Sequence, residues 1–248
     1  MVTVKTAQEI ELMRKANQIV RETLDLLEEK IKPGMTTKQL DKIAHDYITG
    51  CNAIPSFLGY DGYPASACIS IDEEVVHGIP SPRRYIEEGQ IVSVDIGSIY
   101  KGYNGDAART FAVGKVSEEK KRLIEVTKQS FFEGVKILRE GVRLGDLGHA
   151  IQSYVEANGF SVVRALVGHG IGTDMHEDPE VPNYGKAGHG LRLRSNMTIA
   201  VEPMVNAGTY DVRLLDDGWT VVTADGRPSA HYENTLAITE DGVDILSL

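Results

Sequence analysis

The sequence predicts an α+β fold built from two related halves. Three observations predict it. Apolar residues recur at helical spacing in several segments. Between and after these run short stretches rich in Val and Ile, punctuated by glycine. A faint internal repeat also occurs: Val76-His77-Gly78-Ile79-Pro80 resembles Gly168-His169-Gly170-Ile171-Gly172, and Gln90-Ile91-Val92-Ser93-Val94-Asp95 resembles Met197-Thr198-Ile199-Ala200-Val201-Glu202. In each half a His-Gly-Ile turn precedes a buried-type strand that ends in a carboxylate. Helices mixed with antiparallel strands in this way give an α+β fold, with each half lending a histidine and an acid to a central site.

Thr6-Ala7-Gln8-Glu9 reads as a capping box, followed by Ile10, Met13, Ile19, Val20, Leu24, Leu27 and Ile31 at helical spacing and stopped by Pro33-Gly34. A second helix is expected from about Thr37 to Ile48. From Phe57 to Phe111 the pattern is strands and turns, with Ile91–Ile99 the strongest strand. Helix returns from about Ser117 to Arg139 and from about Leu147 to Ala157, where Asn158-Gly159 ends it. The remainder reads as short strands. Asp225-Gly226, between Val221-Val222-Thr223 and His231-Tyr232, reads as a hairpin turn. No linker or low-complexity tract divides the chain, so one domain over 1–248 is expected.

Of 248 residues, 42% are hydrophobic and 25% charged, as in ordinary globular proteins, and the net charge is −10. That sign argues against a duplex nucleic-acid partner, which demands phosphate neutralisation. Cys51 and Cys68 form no CxxC pair and read as reduced thiols. The N-terminus lacks a signal-peptide pattern and no stretch is apolar enough to span a bilayer, so a cytoplasmic protein with no membrane partner is expected.

Four acids sit where an acid is costly. Asp95 and Glu202 end apolar strands, Glu233 lies between Ala230-His231-Tyr232 and Thr235-Leu236-Ala237-Ile238, and Asp106 precedes Ala107-Ala108. A buried carboxylate must be neutralised, paired or metal-bound, and no basic residue stands within these apolar runs. If a tight turn is centred on Lys101-Gly102, Asp95 faces Ala108 and Asp106 becomes its diagonal neighbour on one face. Such a pair repels unless a cation intervenes. His169, framed by glycines, can approach a ligand closely; His77 has one such flank, and His176 lies in a loop-like segment. One histidine with four carboxylates suits Mn, Fe(II) or Co(II), and four negative charges balance two divalent ions. Metal-assisted hydrolysis is the chemistry favoured.

Asp95-Ile96-Gly97, Gly105-Asp106, Gly168-His169-Gly170-Ile171-Gly172, His176-Glu177-Asp178-Pro179, Glu202-Pro203-Met204 and Tyr232-Glu233 follow one another in an order that resembles the type I methionine aminopeptidases. So do Gly59-Tyr60-Asp61-Gly62-Tyr63-Pro64, Ile69-Ser70-Ile71 and Val76-His77-Gly78-Ile79-Pro80. The resemblance covers nearly the whole chain. It implies a pita-bread fold, with two pseudo-symmetric halves around a central antiparallel sheet and a dinuclear metal site. It implies Asp95, Asp106, His169, Glu202 and Glu233 as ligands of two divalent ions (Co, Mn or Fe(II) ahead of Zn or Ni), with Asp106 and Glu233 bridging. Glu202 would also shuttle the proton of the attacking water. His77 would contact the nitrogen side of the scissile peptide and His176 the carbonyl oxygen. Phe57, Tyr60, Tyr63, Cys68, Met175 and Trp219 would line a methionine pocket, where sulfur packs on aromatic edges.

The activity implied is removal of the initiator methionine from peptides and nascent chains, favouring a small second residue, by a monomer in transient contact with the ribosome. Three positions depart from the usual pattern. Asn234 stands where histidine is common, which predicts changed surroundings for Glu233 rather than lost activity. Met175 replaces a bulkier or branched residue, and Asp72 stands where asparagine is common, near a monovalent-cation position of the family. A proline-directed peptidase on the same scaffold and a non-catalytic binding protein are the alternatives. The absence of a long N-terminal domain and the aromatic set disfavour the first; the complete ligand set disfavours the second.

Overall fold

Residues 2–248 are described in a computed structural model. Helix α1 (Ala7–Lys30) opens on the expected capping box, with the Thr6 side chain accepting from the Glu9 amide and the Glu9 carboxylate returning to Thr6. Such a cap is worth about 1 kcal/mol. Helix α2 (Thr37–Gly50) carries a second box, Thr36 with Gln39. Helix α3 (Glu118–Val135) starts on the Ser117 cap and ends four residues before Arg139. Helix α4 (Leu144–Ala157) begins three residues earlier than the apolar pattern suggested.

The strands are β1 (Ile54–Pro55), β2 (Ala67–Ile71), β3 (Glu74–Val76), β4 (Ile91–Tyr100), β5 (Tyr103–Ala112), β6 (Ser161–Val162), β7 (Gly168–Gly170), β8 (Glu177–Val181), β9 (Thr198–Val201), β10 (Met204–Asn206), β11 (Val212–Leu214), β12 (Val221–Thr223), β13 (Ser229–His231), β14 (Asn234–Ile238) and β15 (Val243–Ile245). In the first half, β4 pairs antiparallel with β5 on one edge and with β1 and β2 on the other. In the second, the order is β15-β14-β9-β7-β8, again antiparallel. Two smaller sheets, β13-β10-β6 and β11-β12-β3, complete the strands.

Each half has its own core. Ile19, Val20, Leu24 and Leu27 of α1 and Leu40, Ala44 and Ile48 of α2 close over Ile69, Val92, Val94 and Ile96. In the second half Leu123, Val126 and Phe131 of α3 and Leu147, Ile151 and Val155 of α4 close over Ile199, Val201, Val205 and Leu236. Each such side chain contributes roughly 1.5–3 kcal/mol on burial, and these layers hold the intervening strands in place. Gly105 lies so close to the α1 backbone that a Cβ there would come 2.6 Å from the Asn17 nitrogen. The halves join where β5 meets the chain entering β14: the Glu233 amide donates to the Ala108 carbonyl at 3.0 Å, and the Asp106 amide donates to Thr235 Oγ1 at 3.2 Å.

One expectation is corrected. Asp225-Gly226 is a turn, with Gly226 at φ 72° and the Asp225 carboxylate accepting the Thr209 and Arg227 amides. It is not a hairpin: β12 pairs with β11 and β3, while β13 pairs with β10. The chain changes sheets at this turn: β12 keeps β11 and β3 as its partners, and β13 joins β10.

Candidate metal centre and active site

The β4–β5 hairpin turns tightly through Lys101 and Gly102, at φ 49° and 86°. Both φ values are positive, as the twist of a two-residue hairpin requires. The register follows from it: Asp95 lies opposite Ala108 and Asp106 opposite Gly97. The two carboxylates therefore share one face on a diagonal. On the other edge of β4, Cys68 is the partner of Asp95. Burial and the Asp95 charge push the Cys68 thiol well above its ordinary range, so it is a packing group rather than a nucleophile.

The second half brings its donors from strand ends. His169 lies in β7, flanked by glycines whose added Cβ atoms would overlap the Ala200 and Asp178 carbonyls. Only glycine lets β7 lie this close to its neighbours. The His169 Nδ1 meets the Gly170 carbonyl at 2.8 Å, so Nδ1 carries the proton and Nε2 presents a lone pair to the centre. That Nε2 is 3.5 Å from Glu202 Oε1 and 3.7 Å from Asp106 Oδ2. These spacings are too long for good hydrogen bonds. They suit donors that share an ion at about 2.0–2.2 Å each.

Two sets of ligand atoms converge. Asp106, His169 and Glu233 form one, and Asp95, His231 and Glu233 the other, with the atoms of each set within 4.8 Å of one another. Glu233 belongs to both. Asp95 Oδ1, Asp106 Oδ1 and Glu233 Oε1 are buried without a hydrogen-bond partner. Leaving three such oxygens unpaired is costly, and a divalent cation among them removes that cost. The chemistry of the donor set therefore fits divalent metal.

Electrostatics agrees. Burial pushes Asp95 up to about 7. Burial, then mutual repulsion, raises Asp106, Glu202 and Glu233 well above the carboxylate range. Burial and His176 lower His169 to about 4, and burial and His77 lower His231 to about 3, so both rings are neutral. The charge of Arg109 reaches Glu233, but the guanidinium is spent on the carbonyls of Ala108, Glu233 and Ser247 and on Asn234 Oδ1. It holds the backbone around Glu233 and does not pair the orphaned oxygens. Asn234 thus occupies the predicted second layer; its Oδ1 also accepts from Ser247 Oγ at 3.0 Å.

A cavity of about 290 Å³ opens on these donors, bordered by Phe57, Tyr60, Tyr63, Cys68, His77, His176 and Trp219. Tyr63 donates to the Gly78 carbonyl at 2.9 Å and meets the Trp219 ring edge-on at 5.1 Å. The Tyr60 hydroxyl holds His176 Nδ1 at 2.7 Å. His77 adopts φ 61°, a strained backbone for a non-glycine residue of the kind that collects at functional sites. Every site residue singled out in the sequence borders this cavity except Met175, which is buried in the same apolar cluster as Phe57, Tyr63 and Cys68. Near it, a Cβ on Gly97 would come 2.8 Å from Met175 Cε and 2.9 Å from Phe57 Cε1.

Asp72 is away from the cavity: its carboxylate meets the Lys120 ammonium at 2.6 Å. The sequence reading passed over His231, although its position two residues before Glu233 on a strand-like run was available as a signal.

The sequence profile of metallopeptidase family M24 matches residues 11–240. A methionine aminopeptidase of Clostridium acetobutylicum is 58% identical over 248 residues, covering 100% of this chain and 99% of the relative. The crystal structure of a methionine aminopeptidase from Rickettsia prowazekii superposes with a TM-score of 0.98 at 44% identity, covering 100% of both chains. A prolidase from Pyrococcus furiosus has a TM-score of 0.77 at 22% identity, covering 99% of this chain and 65% of the other; that likeness concerns the fold.

Proposed function

The chain belongs to the methionine aminopeptidases of metallopeptidase family M24, and on that premise we propose how its cavity removes an N-terminal methionine. It is a metal-dependent hydrolase with a pita-bread fold. Asp95, Asp106, His169, Glu202 and Glu233 would hold two divalent ions, with Asp106 and Glu233 shared. The observation that carries this is the trio of buried, unpartnered oxygens on Asp95, Asp106 and Glu233. When bound, the ions supply positive charge that makes water acidic and polarises the scissile carbonyl. The oxygen-rich donor set favours Mn, Fe(II) or Co(II) over a thiolate-type zinc site.

The protein groups divide the remaining work. The Glu202 side chain is 14% exposed against 5% for Asp106, so of these two it is the better placed to take a proton from water and give it to the leaving amine. Tyr60 occupies His176 Nδ1, leaving Nε2 to donate to the carbonyl oxygen as charge develops there. His77 faces the nitrogen side of the peptide. Phe57, Tyr60, Tyr63, Cys68 and Trp219 receive the methionine side chain, their aromatic edges matched to sulfur, while Met175 packs in the same apolar cluster. The cavity lies at the small end of ligand pockets, which supports a small second residue. The whole chain, 1–248, acts as one catalytic unit, a cytoplasmic monomer meeting nascent chains near the ribosome.

The test is peptide hydrolysis by purified protein loaded separately with Mn, Fe(II) and Co(II). Met-Ala-Ser should lose its methionine quickly, Met-Leu-Ser slowly, and Ala-Pro peptides not at all. Inactivity on Met-Ala-Ser with every metal, in folded protein, would overturn the proposal; preference for the proline peptides would move it to the prolidase type. Gel filtration and co-sedimentation with ribosomes check the monomer and the contact.

A further inference from the structure

We propose that His231 is a second nitrogen ligand of the metal centre, bound through Nε2 on the side of Asp95 and Glu233. This rests on the dinuclear hydrolase described above and goes beyond its five donors. The ring is 2% exposed, and its Nε2 is buried without a hydrogen-bond partner. A structural histidine in a core normally has its ring nitrogens satisfied, and leaving one unpaired costs about 1–3 kcal/mol. The nearby carboxylate does not answer that need, because Nε2 lies 3.8 Å from Glu233 Oε2, beyond a hydrogen bond. Two donors on one ion, each at about 2.0–2.2 Å, span up to about 4 Å, so this spacing suits a shared cation.

The neighbours point the same way. His231 Nε2, Glu233 Oε1 and Asp95 Oδ1 are all buried and unpartnered, and the ligand atoms of these residues form one cluster. The backbone of His231 is fixed on both sides: its amide donates to Thr110 Oγ1 at 2.9 Å, its carbonyl accepts from the same hydroxyl at 2.9 Å, and it lies opposite Met204 in β13–β10. The backbone that carries the ring is thereby fixed beside Thr110 of β5, at the seam between halves. With His169 facing Asp106 and Glu202, and His231 facing Asp95 and Glu233, each ion position has its own imidazole. An added imidazole shifts this face from purely oxygen donors towards Fe(II) and Co(II) relative to Mn.

Cobalt titration of the intact protein, followed by visible absorption and by paramagnetic proton NMR, tests this without reference to turnover. The wild-type chain should take up two equivalents and show two strongly shifted, exchangeable imidazole N–H signals. H231Q, which keeps a polar group of similar length, should lose one signal and bind one equivalent roughly tenfold or more weakly, with the other unchanged. Two bound equivalents with a single such signal in wild type, or both signals retained in H231Q, would overturn the proposal alone. Failure of wild type to bind a second cobalt would remove the dinuclear reading beneath it. The wild-type signal count decides the matter even if the variant fails to fold.

Discussion

The two halves of the molecule resemble each other in plan and differ in how they present their donors. The first half places Asp95 and Asp106 inside a long, regular hairpin whose register fixes their spacing. The second places His169, Glu202 and Glu233 on or beside short strands, with glycines admitting close backbone approach around His169 and Arg109 anchoring the Glu233 backbone from the opposite half. Negative charge from both halves is held by regular pairing or by seam contacts, whereas the imidazoles come from the less regular half or from turns. A regular ladder is a good way to fix two like charges side by side; His169 stands instead at a register shift in β7, between two glycines.

The comparison can be broken most forcefully at its bridging acids. Asp106→Asn should cost several kcal/mol of transition-state stabilisation, about a thousandfold in kcat/KM, with metal in excess and circular dichroism unchanged. Near-normal turnover would mean that the hairpin acid is not shared. In the other half, Glu202→Gln should lower kcat by roughly a hundredfold with little change in KM; a change confined to KM would remove its proton role.

Gly97→Ala sharpens the packing side of the contrast. Its methyl would meet Met175, Phe57 and Ser56 within 2.9 Å, so about 1–3 kcal/mol of stability should be lost, read by urea denaturation, together with a rise in KM for methionyl peptides. Unchanged stability would show that the cluster holding Phe57 and Met175 yields.

The smallest effect, a few degrees in Tm, concerns the apo protein from about pH 7 upward, where Asp95 is raised to about 7 while unfolded carboxylates, at about 4, have already lost their protons. Asp106, Glu202 and Glu233 are raised by burial and by one another, so in this range the folded state binds more protons than the unfolded chain and stability falls as pH rises. Histidines with lowered values act oppositely, but their contribution is complete by about pH 7, once the unfolded imidazoles have lost their protons. Scanning calorimetry with chelator should show the fall, and added metal should abolish it. A flat apo profile would mean that these acids are not in each other's field.

Local rules made most of the first half legible. The capping box at Thr6 and the turn at Lys101-Gly102 need only neighbouring residues, so α1 and the Asp95–Asp106 diagonal follow from sequence. The start of α4 did not, since Arg143 is not a usual cap residue and Leu144 precedes the periodic stretch. Asp225-Gly226 has the right turn chemistry, but strand partners are chosen by distant contacts, which no local pattern reports. The placing of Met175 and His231 was not legible for one reason: the sequence gives a side chain's type, while which wall it faces depends on the packing of both halves. The ordered motif set, by contrast, pointed to the acids and the histidine that border one cavity, because a family pattern carried them.

The seam through Glu233 and Ala108 has a temporal consequence. Arg109, from the middle of the chain, grips the carbonyls of Glu233 and Ser247, so the centre closes only after the late strands arrive. Without Glu233 the two candidate ligand groups lose the acid they share. The proposed hydrolytic centre is therefore one that only the last-made part of the chain completes.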